Sequence, residues 1–512
     1  MRSAFLGFNI ATQGLYTSKT GLDVINHNIN NAANPAYSRQ LVNQKASKAL
    51  PGNNGKGMLG TGSEVVGIHH IRDFYLDTKY WKESTYLGEY TAKKTQLEQL
   101  ESLFNEPSDS GFNTVFNDFF TSLENLTTNP GNEAYRNSVK EAAISVTSYF
   151  NSTASRLQRQ QQDLNFAVKT TVEEINSLGQ QIQRLNRQIY GAELDGSIAN
   201  DLRDERMYLV DQLSQLVDTT AEEIDGVNGQ KEFIVKINER PLVNHFSVQT
   251  LEVRPRTKDA NASKDQTKNK EVDIPDLYDV YFSTGMKLDT SHSSFRGELR
   301  GYIDIRDGNG KNGEYKGIPH YMEKLNHFVQ TFAKALNEVH QDQEGVDKEG
   351  AKGVDFFTYQ DENGEDIILT EDKEDNYKNL TALNFKVSDA ILEDVNKIAV
   401  SSEPEAESNT EILHKLIDLK HDNSMFDLGE PGNYMEALIS ELGIDSKEAQ
   451  IFEKNQTNLQ KVVNNQRQSI SGVDLNEEVA YMMKYLQLYN ASARMITVID
   501  QIYDTTINRM GV

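Results

Sequence analysis

The side chains of this 512-residue chain that could do chemistry are few and poorly spaced for it. There is no cysteine, which excludes a thiolate nucleophile, thiolate zinc ligands and disulfide bonds. Of the ten histidines only His69 and His70 are adjacent, in an alternating stretch where one ring would face the core and the other water. The phosphate-binding loop G-x-x-x-x-G-K-[ST], the zinc motif H-E-x-x-H and the nucleophile elbow G-x-S-x-G are absent. We therefore expect no metal, no cofactor and no catalytic residue.

Two acidic features are weaker candidates for a site. The segment RDGNGKNGEY (306–315) begins like a calcium loop, with an acid and an amide at the first and third positions. Lys311 and Ile318 then fall at positions 5 and 12, where an EF-hand needs oxygen ligands, so a tight turn is favoured. Paired carboxylates within 371–375 could serve a glycosidase. A chain with 77 acidic residues offers many such pairs, and a solvated acidic surface is the simpler interpretation.

Composition narrows the function classes further. The net charge of −25 argues against nucleic acid, because phosphate binding needs clustered Lys and Arg. No apolar run approaches a membrane span, so no membrane partner is expected, and residues 1–11 make a poor cleavable secretory signal. An apolar fraction of 37% with a mean hydropathy of −0.62 is typical of long, exposed helices. The only tryptophan, Trp81, is expected to be a packing anchor rather than a sugar platform.

The beginning of the chain predicts an amphipathic helix with a narrow apolar stripe. Over residues 1–34 the stripe recurs at alternating steps of three and four, which is the spacing of one helix face. Its members are Phe8, Ala11, Leu15, Ser18, Leu22, Ile25, Ile29 and Ala32. Asn34-Pro35 ends the helix, because the residue before a proline is pushed out of the helical region.

The end of the chain mirrors this pattern with one step out of phase. Its stripe comprises Leu475, Val479, Met482, Leu486, Tyr489, Ala493, Ile496, Ile499, Tyr503, Thr506 and Met510. Asp474 is a good N-cap, with Glu477 three residues further on, close to a capping box. Neither stripe has a partner nearby in sequence. The two helices either pair with each other or dock separately on the central helices, and the pattern leaves both arrangements open.

Between the ends, long helices enclose a β segment. A proline-free stretch with apolar residues at steps of three and four predicts a helix over 135–190, about 80 Å long. Residues 230–285 alternate and are rich in β-forming residues, around a polar loop at 256–270. Loops are expected at 50–63, and loops with a hairpin at 345–387. Shorter helices are predicted at 76–105, 112–128, 201–219, 320–341 and 433–470.

The termini also carry a family signal. Residues 26–40, NHNINNAANPAYSRQ, resemble the N-terminal signature of the flagellar rod, hook and hook-associated axial protein family, in which an Asn-rich helix end runs into T-P-G-Y. The continuation from Tyr37 to Gln40 is similar to that of the hook-associated protein 1 branch, whose members form the hook–filament junction. The stretch 469–510 resembles the same branch, and the blocks 297–302 and 335–340 are similar to interior blocks. The C-terminal matches are Gly472, Val473, Leu475, Glu477, Glu478, Tyr489, Ala493, Arg494 and Ile496.

This resemblance implies a non-enzymatic axial subunit that assembles with itself into a ring between hook and filament. The implied partners are the hook protein, a second hook-associated protein on the filament side, and a cytosolic flagellar export chaperone that binds the C-terminal helix. It also implies export through the flagellar type III apparatus and an extracellular location on the bacterial flagellum. The remaining alternatives are another axial protein, of the hook or rod, and an acidic extracellular hydrolase.

The expected fold class is mainly α with an inserted β domain, built on long antiparallel helices, with the N- and C-terminal helices paired at one end. Three domains are expected: a terminal helical domain forming an inner tube (1–40 with 474–512), a long-helix domain with loops and a hairpin (41–222 with 300–473), and the inserted β domain (223–299). The expected assembly interface comprises Phe8, Leu15, Leu22, Ile25, Ile29, Pro35, Tyr37, Arg39, Leu475, Val479, Leu486, Tyr489, Ala493, Arg494, Ile496, Ile499 and Tyr503.

Overall fold

The computed structural model shows a mainly helical protein with several small antiparallel sheets. It describes residues 6–51, 57–104, 111–226, 231–256, 272–290, 292, 294–341, 345–348, 350–361, 364–369, 375–402 and 409–509. The helices are α1 Leu6–Asn31, α2 Phe74–Phe104, α3 Phe112–Thr128, α4 Glu133–Ala192, α5 Asn200–Leu216, α6 Glu298–Asp307, α7 Ile318–His340, α8 Asp375–Lys378, α9 Asp389–Glu393, α10 Glu411–Asp418, α11 Pro431–Ser471 and α12 Leu475–Asp504. The expected fold class, mainly α with inserted β structure and paired terminal helices, is confirmed.

The strands form hairpins and one four-stranded sheet. They are β1 Gln40–Ala46, β2 Leu50–Pro51, β3 Met58–Leu59, β4 Ser63–His70, β5 Thr219–Asp225, β6 Lys231–Ile237, β7 Arg240–Asn244, β8 Ser247–Val248, β9 Leu251–Pro255, β10 Tyr278–Phe282, β11 Phe357–Thr358 and β12 Lys386–Val387. The sheet has the order β5-β6-β7-β8, and the other strands pair as β1 with β4, β2 with β3, β9 with β10, and β11 with β12. The loop predicted at 256–270 lies, except for its first residue, outside the described residues, as do most of the acids at 371–375.

Helix α4 connects the two halves of the molecule, because it contributes to both hydrophobic cores. The side chain of Asn132 caps its start by accepting a hydrogen bond from the Ala134 amide at 2.9 Å. Its first half packs with α3, α7 and the chain from 354 to 449 around a cluster of phenylalanines. Its second half packs with α5, α6 and the strands between 219 and 282. Helices α2 and α11 run antiparallel to each other, and α2 also contacts α4.

Trp81 is a packing anchor, as expected. Only 1% of its surface is exposed, and its indole N–H donates to Asp211 at 2.7 Å. The segment 306–315 begins with the last two residues of α6 and continues as a turn held by a bridge between Asn309 and Lys316, with positive φ angles at Gly310 and Gly313. Among the described residues, no helix is long and apolar enough to cross a membrane.

His340, the last residue of α7, is fully buried in the phenylalanine-rich core. Its Nδ1 lies 2.6 Å from the Val354 carbonyl, and its Nε2 accepts from the Ala399 amide at 2.8 Å. This pairing requires the neutral ring, with the proton on Nδ1. Burial therefore lowers the pKa of His340 from 6.5 to about 4.

We predict that acid weakens the fold through His340. Because the folded-state pKa lies below the unfolded one, the unfolded chain takes up the proton first as the pH falls. Stability held above pH 6.5 is then lost progressively towards pH 4. Between pH 7 and pH 4.5 the native chain should lose about 2–3 kcal/mol more unfolding free energy than His340→Gln. Urea unfolding at both pH values measures this difference, and equal losses in the two chains would contradict it.

Candidate assembly interface

Helices α1 and α12 pack antiparallel, and glycines set their closest approach. Three glycines of α1 recur every seven residues, with Gly7 facing Ile499, Gly14 facing Ser492 and Gly21 facing Tyr485. A Cβ atom placed on Gly21 would lie 2.6 Å from the Tyr485 ring, and one on Gly14 would lie 2.9 Å from the Ser492 hydroxyl. The two helix backbones therefore approach each other more closely than larger side chains would permit.

The next seven-residue step along α1 replaces glycine by a hydrogen-bonding residue. Asn28 is fully buried, and its amide nitrogen donates to the Glu478 carboxylate at 3.0 Å and to the Gln40 carbonyl at 2.9 Å. Its amide oxygen accepts from the Tyr37 hydroxyl at 2.6 Å and from the Gln40 amide at 2.9 Å. All four hydrogen-bonding positions of this side chain are filled, which fixes both its rotamer and the register of the helices.

Arg39 completes this group and ties it to the end of α11. Its guanidinium donates to Glu478 at 2.7 Å and to Glu477 at 2.9 Å, and it lies 5.6 Å from the Tyr481 ring centroid. Its backbone amide donates to the Ser471 carbonyl at 2.8 Å. Glu478 is 1% exposed, so its charge is supported by Arg39 and Asn28 rather than by water. We call Asn28, Tyr37, Arg39, Gln40 and Glu478 the Asn28 cluster.

The Asn28 cluster is also bonded to the body of the protein. The Ser38 amide donates to Asp204 of α5 at 2.9 Å, and Gln40 donates to Asp201 at 2.6 Å. Burial raises the pKa of Tyr37, and the nearby carboxylates of Asp201, Asp204 and Glu478 raise it further. The phenol therefore stays protonated and remains a donor to Asn28.

The turn after α1 rests on a second, charged layer. Arg72 makes a two-point ion pair with Asp77, at 2.7 and 3.1 Å, and Arg467 of α11 pairs with Asp211 at 2.8 Å. His70 lies 2.7 Å from Asp204, while His69 is exposed, so one ring of the histidine pair faces inward as expected. Among the described residues, no group of three or more His, Asp or Glu is arranged to hold a metal ion.

Residues 40–51 and 57–70, which we call the hairpin arm, lie along α1 on the side next to the Asn28 cluster. Thr17 donates to the Ser63 carbonyl at 3.2 Å, and Ser47 donates to Gln13 at 3.3 Å. Gln44 reaches across to the Tyr485 hydroxyl at 3.1 Å. Helix α1 is therefore covered on two sides, by α12 and by the hairpin arm.

The predicted interface residues fall into three groups. Ile25 is buried. Partly buried residues, most of them in or beside the α1–α12 contact, are Leu15, Leu22, Ile29, Tyr37, Arg39, Tyr489, Ala493, Ile496, Ile499 and Tyr503. Exposed residues are Phe8, Pro35, Leu475, Val479, Leu486 and Arg494. The structure thus brings the middle group together and leaves the last group on the surface.

The residues that fix the register were not in the predicted set. They are Gly14, Gly21, Asn28, Tyr485, Glu478 and Ser492. A search for apolar periodicity passes over glycine and asparagine. The signal that could have found them is the recurrence of Gly7, Gly14, Gly21 and Asn28 at intervals of seven.

Helix α12 remains apolar on faces that α1 does not cover. Its half-buried row at 482, 485, 489, 492, 496, 499 and 503 faces α1. Large apolar side chains on other faces are 42–67% exposed, namely Leu475, Val479, Tyr481, Met483, Leu486, Leu488, Met495, Val498 and Ile502, with Ile507 just beyond the helix. A helix that is apolar around most of its circumference is normally buried on most sides. The arrangement is typical of a subunit of a helical assembly.

Comparison with known proteins gives the same class. The family described as flagellar hook-associated protein FlgK helical domain matches residues 97–357, and the flagellar basal body rod FlgEFG protein C-terminal family matches residues 464–510. Flagellar hook-associated protein 1 of Bacillus subtilis (strain 168) is 31% identical, over 100% of this chain and 99% of its own length. The Escherichia coli (strain K12) protein of the same name is 25% identical, over 98% of this chain and 99% of its own length.

The fold has a solved counterpart. The flagellar hook junction protein FlgK from Burkholderia pseudomallei superposes with a TM-score of 0.60 and 14% identity, covering 78% of this chain and all of that one. The chain belongs to the flagellar hook-associated protein 1 family. It is a structural component of the bacterial flagellum and not an enzyme, so the resemblance in its termini is confirmed and the hydrolase alternative is excluded.

The helix register predicts a specific cross-link. A Cβ at Gly14 would lie 3.9 Å from the Ser492 Cβ, within the range of about 3.5–4.5 Å for a disulfide. Because the chain has no cysteine of its own, Gly14→Cys with Ser492→Cys should form one intramolecular disulfide on mild oxidation. Non-reducing electrophoresis and peptide mass mapping would detect it.

The matched control is Gly14→Cys with Leu488→Cys, in which the second cysteine is moved by about one turn to an exposed face. This control should remain reduced under the same conditions. Equal cross-linking in both chains would show that the terminal helices slide or fray, and would contradict the register.

Proposed function

We propose that the chain is the junction subunit between hook and filament, where copies form a ring whose inner part is built from α1, α12 and the residues of the Asn28 cluster. The observation that supports this most is the pairing of the terminal helices with large apolar faces left open, in a chain of the hook-associated protein 1 family. A folded monomer in water gains nothing from these faces, whereas neighbouring copies would bury them.

The proposed neighbours are the hook protein on one side and a second hook-associated protein on the filament side. Export through the flagellar type III apparatus is part of the proposal, as is an extracellular location on the flagellum. A chain that passes a narrow channel must unfold, and the lack of cysteine prevents disulfide trapping on the way. The expected division into a terminal, a long-helix and an inserted β domain belongs to the same proposal, with the hairpin arm as a candidate addition to the terminal domain.

The location is tested by labelling. An epitope placed in the exposed turn at Ser197, far in sequence from both termini, should mark a single band where hook meets filament in electron micrographs of purified flagella. Label along the hook or along the filament would assign the chain to another axial position and overturn the proposal.

The exposed face of α12 should be needed for assembly. We predict that Val479→Asp with Leu486→Asp prevents filament attachment, because each charge would have to be buried between copies. Cell-attached filaments are counted and the secreted chain is quantified in the same cultures. The two measurements distinguish a block in export from a block in assembly. The thermal unfolding midpoint should change little, since both side chains are exposed in the monomer.

A charge-matched control is Asn476→Asp with Gln487→Asp, two exposed polar positions on another face of the same helix. This chain should still support filaments. Normal filament attachment by the Val479→Asp, Leu486→Asp chain would contradict the proposed interface.

The C-terminal helix is also the proposed binding site of the export chaperone. Leu486→Asp with Ile496→Asp should weaken chaperone binding at least about tenfold in calorimetry, because a helix-binding groove would have to accept two charges. The Asn476→Asp, Gln487→Asp chain should bind as the native chain does. Unchanged affinity in the first variant would place the chaperone site elsewhere.

A further inference from the structure

The two uncovered flanks of α12 differ in composition and surroundings. One flank carries Tyr481, Leu488, Met495 and Ile502, spaced seven residues apart and 42–55% exposed. Arg39 lies over Tyr481 and Gln44 bonds to Tyr485, so this side of the helix adjoins the hairpin arm. We call these four residues the hairpin flank.

The other flank of α12 lies on the opposite side of the row of residues that faces α1. At 3.6 residues per turn, Leu475, Val479 and Leu486 project on the side away from the hairpin arm, and Ala493 continues the row. The first three are 46–51% exposed. We call these four residues the far flank.

Charge distinguishes the flanks as well. Exposed lysines lie on the hairpin side, with Lys484 next to the Tyr481 ring at 5.9 Å and Lys48 in the hairpin arm. The exposed acid Glu477 on this side is paired with Arg39 at 2.9 Å. Steps of three and four place the exposed acids Asp500 and Asp504 in continuation of the far flank, where Asp504 pairs with Arg509 at 3.4 Å. Opposite charges beside two apolar rows favour contact between unlike flanks and disfavour contact between like ones.

We propose that the hairpin flank of one copy packs against the far flank of the next copy, so that the terminal helix pairs meet head to tail. This inference rests on the proposed function and adds the partner surface for each flank. A symmetric contact would use one flank twice, end at a dimer and leave the other flank in water. The head-to-tail contact buries both apolar rows, sets lysines towards acids, and continues from copy to copy into a ring or a helix.

Paired single cysteines test the contact, because the native chain contains none. Cells lacking the native copy produce two differently tagged chains, one with Leu488→Cys on the hairpin flank and one with Leu486→Cys on the far flank. Flagella are purified, treated with a short bismaleimide and immunoblotted for both tags. The expected product is a dimer that carries both tags. Val479→Cys replaces Leu486→Cys in a second pairing, which allows for an axial offset between copies.

The control replaces the far-flank cysteine by Gln487→Cys, an exposed polar position on another face of the same helix. Mixed-tag dimers should then fall at least fivefold. Dimers carrying one tag only would show a symmetric contact and overturn the inference, as would the absence of dimers when both chains are present in the flagella. Absence of both chains from the flagella would instead reject the proposed function, and the inference with it.

Discussion

The close approach of α1 and α12 is the contact on which the ends of this molecule depend. Glycine at 7, 14 and 21 removes the side chains that would hold the helices apart, and the space is filled from α12 by Ile499, Ser492 and Tyr485. Dispersion attraction falls steeply with distance, so many atoms gain from a short separation. Glycine in a helix interior costs roughly 0.5–1 kcal/mol relative to alanine at each position. Three such positions in one row therefore indicate that the close contact outweighs that cost.

The Asn28 cluster converts this helix contact into a fixed relation with the body of the protein. One buried amide joins α1, α12 and the first strand of the hairpin arm, while Arg39 joins the same carboxylate to the end of α11. A buried glutamate without partners would be costly, but Glu478 accepts from two side chains. Removing Asn28 would take a hydrogen-bond partner from Glu478, from the Tyr37 hydroxyl and from the backbone of Gln40. The sequence NHNINNAANPAYSRQ is thus a connector as well as a family signature.

Much of the fold could be predicted from the sequence where the signal was long and periodic. The helix at 135–190 became α4, at 133–192, because no proline interrupts it and apolar residues recur over many turns. Helix α6 was missed because it is short and contains Gly301, which packs against α2 where a Cβ would lie 2.7 Å from Ala92. The pairs β2–β3 and β11–β12 are only two residues long, too short for alternation to appear. The conformation of such short segments is determined by tertiary contacts rather than by local sequence.

The interface was predictable only in part, because α12 has apolar residues on more faces than the one that packs against α1. Apolar spacing identified a stripe on each helix, but on α12 it combined residues that face α1, such as Ile496, with residues that face water, such as Leu486. Both kinds recur at steps of three and four, because α12 is apolar on more than one face. Periodicity detects a face that avoids water, but it does not state how many partners the helix has. The number of partners is indicated by the apolar surface of α12 that remains exposed beyond its contact with α1. That surface can be identified only when the pairing of the helices and its register are known.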